Sequence, residues 1–168
     1  MSIRLKAYAR PVSTAQWLLM LHITGAFFLV SGSVTAGVLN VLAQRAERPS
    51  ESALLLRLIK TAVIVIGVGI ASTLIFGIWL WHELGFGIGT WWIWASLVLW
   101  VIASALGGRG GKHQQRTREL AEQLAAAGDT MTDELRARLR DPRGNAMSWL
   151  AGVATIAILV LMIWKPGS

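Results

Sequence analysis

The chain of 168 residues has no cysteine, one tyrosine and few charged side chains. The lack of cysteine excludes a disulfide framework, a thiolate-held iron–sulfur cluster and a cysteine nucleophile. Charged residues make up 15% of the chain and apolar residues 54%. That balance excludes a disordered or acidic solvating protein. Tryptophan, by contrast, is abundant and occurs nine times.

Four stretches of the chain carry almost no charge: residues 14–43, 61–82, 86–106 and 147–164. A helix needs about 20 apolar residues to cross a hydrocarbon core of roughly 30 Å, and all four stretches approach or exceed that length. The sequence therefore predicts an all-α fold, in which residues 1–168 form a single domain with four transmembrane helices.

The segment between the third and fourth spans is too long for a featureless loop. A run of glycines between residues 107 and 111 is expected to end the third helix. Beyond it, two short stretches with leucines at helical spacing predict a helical hairpin over residues 112–141, rich in arginine.

Lysine and arginine are distributed unevenly on the two sides of the predicted spans. Twelve lie in the segments after the first and third spans, and four lie near the termini. The positive-inside rule predicts a cytoplasmic hairpin and both termini outside. The N-terminal charges also resemble a secretory signal, but the apolar run continues past Ala36, so we expect the first helix to stay uncleaved.

The net charge of +7 does not predict nucleic-acid binding. Arginines alternate with acidic residues on the hairpin, which makes a poor surface for tracking phosphates. We expect the basic residues there to contact anionic lipid headgroups or a partner. The residues expected to make these contacts are Arg109, Lys112, Arg116, Arg136 and Arg140.

Small and polar residues recur at helical spacing in the first two spans. Membrane helices associate through such residues because lipid provides no hydrophobic driving force between them. We expect a packing seam that supports a homo-oligomer or a larger membrane complex, and leucine at Gly37 or Gly77 should disrupt assembly. The seam comprises Gly25, Ser33, Gly37, Asn40, Gly69, Thr73 and Gly77.

Two histidines lie in the spans. His22 lies on the small, polar face of the first helix and is expected to face the bundle interior, whereas His82 is expected at the membrane interface. One hypothesis is a haem or quinone site at His22, walled by Trp17 and Trp79. The alternatives are a hydrogen-bonded packing histidine and an aromatic belt. A haem held by both histidines is not expected, because their depths differ by more than a turn.

No residue constellation predicts catalysis or a metal centre. The pattern contains no two histidines at the spacing of metal ligands, no nucleophile elbow and no paired carboxylates. No charged residue lies well inside a span, which disfavours an ion-coupled transporter. We therefore expect a structural or interaction subunit rather than an enzyme. A redox protein and a small-solute transporter or channel are the alternatives.

Three short motifs resemble a known family. They are Trp17-Leu-Leu-Met-Leu-His22-Ile-Thr-Gly25-Ala26, Leu74-Ile-Phe-Gly77-Ile-Trp79 and Leu161-Met162-Ile-Trp-Lys165-Pro166-Gly167. With the charged hairpin, they resemble the bacterial integral membrane proteins of domain-of-unknown-function family 2269. The resemblance implies a four-helix protein of the bacterial cytoplasmic (inner) membrane without an assigned activity. The Leu-His-x-x-Gly motif at His22 also resembles copper-resistance D type proteins and haem-dependent protoporphyrinogen oxidases of four-helix form.

Overall fold

The computed structural model describes residues 13–85, 87 and 89–164, and this part of the chain is helical without strands. Four segments of it are long and apolar enough to cross a membrane, the last being α5 together with the short α4 before it. The predicted all-α, four-span fold is therefore confirmed. The helices are α1 (Thr14–Arg45), α2 (Pro49–Glu83), α3 (Trp91–Ala126), α4 (Asp133–Leu139) and α5 (Pro142–Trp164).

Local sequence explains where the helices start. Ser13 caps α1 in a reciprocal capping box, because its hydroxyl accepts from the Gln16 N–H and the Gln16 side chain accepts from the Ser13 N–H. Pro49 opens α2, where its missing N–H costs nothing. The helix α2 thus begins 12 residues before the apolar stretch that starts at Thr61.

The predicted end of the third helix at its glycines is wrong, because α3 runs unbroken for 36 residues. Each interior glycine costs about 1 kcal/mol relative to alanine, which packing can offset. Gly110 is buried, and a Cβ there would lie 3.6 Å from Ser148 Oγ of α5. No proline interrupts the hydrogen-bond ladder. The first arm of the predicted hairpin is therefore the end of α3.

A glycine turn ends α3 instead. Gly128 has φ +118°, and the Asp129 N–H donates to the Leu124 carbonyl at 3.0 Å. This is the 6→1 bond of a Schellman motif. Thr132 then caps α4 by accepting from the Leu135 N–H. The chain reverses here and returns to α5.

The helices form two antiparallel pairs, α1 with α2 and α3 with α5, and α2 joins them by packing on α3. In contrast, α1 and α5 meet over only a few residues. We call the side that carries α4 and the turns before α2 and α5 the hairpin end, and the opposite side the tryptophan end. Seven tryptophans lie at or near helix ends there: Trp17, Trp79, Trp81, Trp91, Trp92, Trp94 and Trp164.

The spans bury small residues and expose large ones. Gly25, Gly32, Ala62 and Gly69 are buried, whereas many large apolar side chains point outward, such as that of Phe27, which is 68% exposed within the chain. A membrane protein tolerates this arrangement because lipid covers the apolar exterior.

A cluster of buried apolar residues lies at the hairpin end, where α4 packs against the ends of the long helices. There α4 places Leu135 and Leu139 against the end of α1 and the start of α2. The members of the cluster are Ala43, Ala53, Leu56, Ile59, Ala121, Leu135 and Leu139.

Candidate functional site

His22 joins α1 to α2 inside the membrane. Its Nδ1 lies 2.9 Å from the Thr73 carbonyl oxygen of α2. The ring lies over Gly77, where a Cβ would come within 2.9 Å of Cε1. Glycine at 77 therefore makes the room that the imidazole occupies. The structure brings together His22, Thr73 and Gly77 of the predicted site.

The contact with Thr73 determines the tautomer of His22. A carbonyl oxygen only accepts hydrogen bonds, so Nδ1 carries the proton, and in the neutral ring Nε2 keeps its lone pair. Histidines that ligate metals are oriented in the same way, through a backbone carbonyl on the other ring nitrogen. The geometry thus suits both a packing histidine and a ligand.

Toward the middle of the membrane, α1 and α2 approach so closely that glycine is required. A Cβ at Gly69 would lie 2.5 Å from the Leu29 nitrogen, and one at Gly25 would lie 2.8 Å from Ser72 Cβ. Gly32, which the predicted seam did not include, has the same role against Ile66. Gly25 and Gly32 are seven residues apart, a heptad repeat that the sequence analysis overlooked.

Three predicted seam residues lie apart from this contact. Ser33, Gly37 and Asn40 occupy another face of α1, spaced by four and three residues. Asn40 Nδ2 donates to Asn145 Oδ1 of α5 at 3.0 Å. A Cβ at Gly37 would meet nothing within 4 Å. The predicted single seam is thus two surfaces, one toward α2 and one toward α5.

The aromatic wall expected at His22 stays a prediction. Trp17 is 53% exposed and Trp79 is 52% exposed. Trp81 and Trp94 do meet, with ring centroids 6.0 Å apart in an edge-to-face arrangement. His82 is exposed near the end of α2.

A small polar cleft at the hairpin end was missed in the sequence. His113 Nε2 lies 3.2 Å from the Arg138 carbonyl and 3.7 Å from Asp141 Oδ2. The cleft also contains Asn40 and Asn145 and offers about 20 Å³, room for about one water molecule. The one feature of the sequence that could have indicated the cleft is the Asp-Pro pair before α5, because an aspartate at a helix N-cap accepts hydrogen bonds from backbone N–H groups.

Two aspartates at the hairpin end accept backbone hydrogen bonds. The side-chain and backbone hydrogen bonds of Ser50 hold the pKa of Asp129 below its usual value, with Arg48 contributing. The Gly144 N–H lowers the pKa of Asp141, with the Arg143 N–H contributing. Asp129 thereby caps the first turn of α2 from the turn after α3.

The five predicted headgroup or partner contacts divide between two helices. Arg109, Lys112 and Arg116 lie on the second half of α3, and Arg136 and Arg140 lie on or beside α4. All five are exposed. The ion pairs between arginine and acid in the described residues involve other arginines: Arg57–Glu122, Arg118–Glu122 and Arg138–Glu134.

Comparison with known proteins gives one family. A family model described as a predicted integral membrane protein (DUF2269) matches residues 16–166. No curated protein and no solved structure matches the chain. The family description agrees with the four candidate spans and assigns no activity.

Proposed function

We propose that this chain, which belongs to the DUF2269 family of predicted integral membrane proteins, is a structural or interaction subunit of a homo-oligomer or a larger membrane complex. The observation that supports this role is the face of the molecule between α1 and α5, which we call the flank. These helices meet at Asn40 and Asn145, over only a few residues.

The flank presents small residues on both of its sides. On α1 these are Ser33 and Gly37, and on α5 Gly152 follows Asn145 by two helical turns. A Cβ at Gly37 or at Gly152 would meet nothing within 4 Å. Small residues let a further helix approach closely, and that close packing is what associates helices in lipid. We therefore assign the flank to a helix of a second copy or of another subunit.

Leucine at Gly37 tests this proposal. The Cβ would meet no atom within 4 Å inside one copy, so assembly should weaken while the monomer stays folded. The matched control is Gly67→Leu on α2, because Gly67 is also exposed with nothing within 4 Å. Particle mass in mild detergent is the measurement. An unchanged mass for Gly37→Leu, or an equal loss for Gly67→Leu, would contradict the proposal.

Gly77 is the wrong position for such a test. Its place beneath the His22 ring means that leucine there would separate α1 from α2 within one copy. Loss of assembly in Gly77→Leu would therefore report misfolding of the monomer.

A second candidate function, binding of haem or a quinone, rests on the Nε2 lone pair of His22. An absorption spectrum of the protein from 350 to 700 nm tests the haem form of this candidate. A Soret band should appear in the wild type, disappear in His22→Ala and persist in the control His82→Ala. A flat spectrum after supplementation with haem would refute the haem form.

We further propose that the hairpin end lies in the bacterial cytoplasm and both termini lie outside. The uneven distribution of lysine and arginine, twelve against four, supports this orientation. Because the chain has no cysteine, single cysteines at Thr130 and Gly87 report each side cleanly. An impermeant maleimide added to intact cells should label the variant at 87 and spare the variant at 130. The reverse pattern would invert the orientation.

A further inference from the structure

The outward face of α3 continues without interruption from apolar into basic residues. Because the helix does not end at its glycines, residues spaced by three and four share one face from the tryptophan end onward. The exposed apolar members of this face are Trp94, Val98, Val101 and Ala105. The exposed basic members that follow are Arg109, Lys112 and Arg116, which we call the α3 basic stripe.

The position of the α3 basic stripe along the helix corresponds to the headgroup level. With a rise of about 1.5 Å per residue, Arg109 lies about 27 Å from Trp91 along α3, and Arg116 lies about 37 Å away. A hydrocarbon core is roughly 30 Å thick. If Trp91 lies at one boundary of the core, the stripe begins at the other boundary and extends into the headgroups.

The stripe has no acidic partner within the described chain. No carboxylate there lies within 4.0 Å of Arg109, Lys112 or Arg116. The first acid on the same face is Glu119, about 42 Å from Trp91, where it accepts a hydrogen bond from Gln115. The three cations are therefore exposed and have no ion-pair partner in the described chain.

We propose that Arg109, Lys112 and Arg116 bind the phosphate groups of anionic phospholipids in the leaflet at the hairpin end. Each such cation near a membrane surface favours an anionic lipid by about five-fold. Arg136 and Arg140 are not part of this site. They lie on or beside the short helix α4, whose Leu135 and Leu139 belong to the buried cluster at the hairpin end.

Electron spin resonance of spin-labelled lipids tests the site in reconstituted full-length protein. The measured quantity is the preference of the protein-bound lipid shell for phosphatidylglycerol over phosphatidylcholine. The wild type should show a preference of about five-fold or more, and the triple variant R109Q/K112Q/R116Q should fall below about two-fold. A triple variant that keeps the wild-type preference overturns the proposal.

The control variant R45Q/R57Q/R143Q removes the same charge from exposed residues outside the stripe. It should keep the wild-type preference, and an equal loss would assign the effect to net charge and overturn the site. The variant R109K/R116K should also keep the preference, which separates charge from folding. Inorganic phosphate at constant ionic strength should displace no more lipid than chloride does. Specific displacement by phosphate would assign the stripe to the free anion and overturn the proposal.

Discussion

The spans and the hairpin end of this protein are packed by opposite means. Between α1 and α2, glycines of one helix lie against the backbone of the other, and many large side chains point outward. At the hairpin end, Leu135 is fully buried with other aliphatic side chains, as in a soluble protein. The two kinds of packing suit two media. The hydrophobic effect drives burial of large apolar side chains where water is present, whereas close van der Waals packing associates helices in lipid.

The largest expected effect comes from a side chain in the α1–α2 contact. In Gly69→Leu, the Cβ alone would lie 2.5 Å from backbone nitrogen of Leu29, which cannot move without shifting the helix. We expect a loss of about 3 kcal/mol or more in the free energy of unfolding. Unfolding by a denaturing detergent measures it, with Gly67→Leu as the control that should change little. Equal stability of the two variants would show that α1 and α2 do not meet here.

A smaller and more local effect is expected from Leu135→Ala. Removing this side chain leaves a cavity in the hairpin-end core, with a cost of about 2–3 kcal/mol. Val101→Ala, on the lipid-facing side of α3, should cost far less. Hydrogen exchange should show faster opening of α4 and the end of α3, with the spans protected as before. Uniform loss of protection across the spans would contradict two separately packed regions.

The smallest effect is a pH dependence confined to the hairpin end. The pKa of Asp129 is lowered from its usual 3.8 by hydrogen bonds from Ser50, so its contribution is complete above about pH 4. That contribution is lost as the pH falls through the lowered pKa. The protection factors of the amides at the start of α2, which correct for the intrinsic pH dependence of exchange, should therefore fall below pH 4. Asp129→Ala should show the lower protection already at pH 7. A variant indistinguishable from the wild type at both pH values would rule out the cap.

The sequence predicted the spans because apolar length is a strong and local signal. It also indicated that Gly25, Gly69 and Gly77 pack, since small residues recur at helical spacing. It failed at the glycines of α3, where the packing of Gly110 beside Ser148 joins residues far apart in the chain. The two faces of α1 were merged for a similar reason. Gly25 faces α2 and Asn40 faces α5, and only the positions of those two helices show that the residues belong to different surfaces.

The cleft at His113 needed the same long-range information. His113 in α3 and Asp141 before α5 are separated by the whole hairpin turn, and no periodic pattern connects them. The cap of α2 by Asp129 is another such case, since its partner Ser50 lies 79 residues away. Local patterns predict elements, whereas polar contacts between distant turns depend on the assembled fold.

The most direct test of the central proposal is a crosslink through the flank in native membranes. Cysteine at Gly37, in a chain that otherwise has none, should form a crosslinked species of twice the mass or a crosslink to another subunit. The reagent is a maleimide that carries a benzophenone, which bonds the cysteine and, on irradiation, inserts into a C–H bond of whatever chain lies beside it. Cysteine at Gly67 should remain uncrosslinked under the same reagent. A variant at 37 that stays at the monomer mass would contradict an assembly built on the α1–α5 flank.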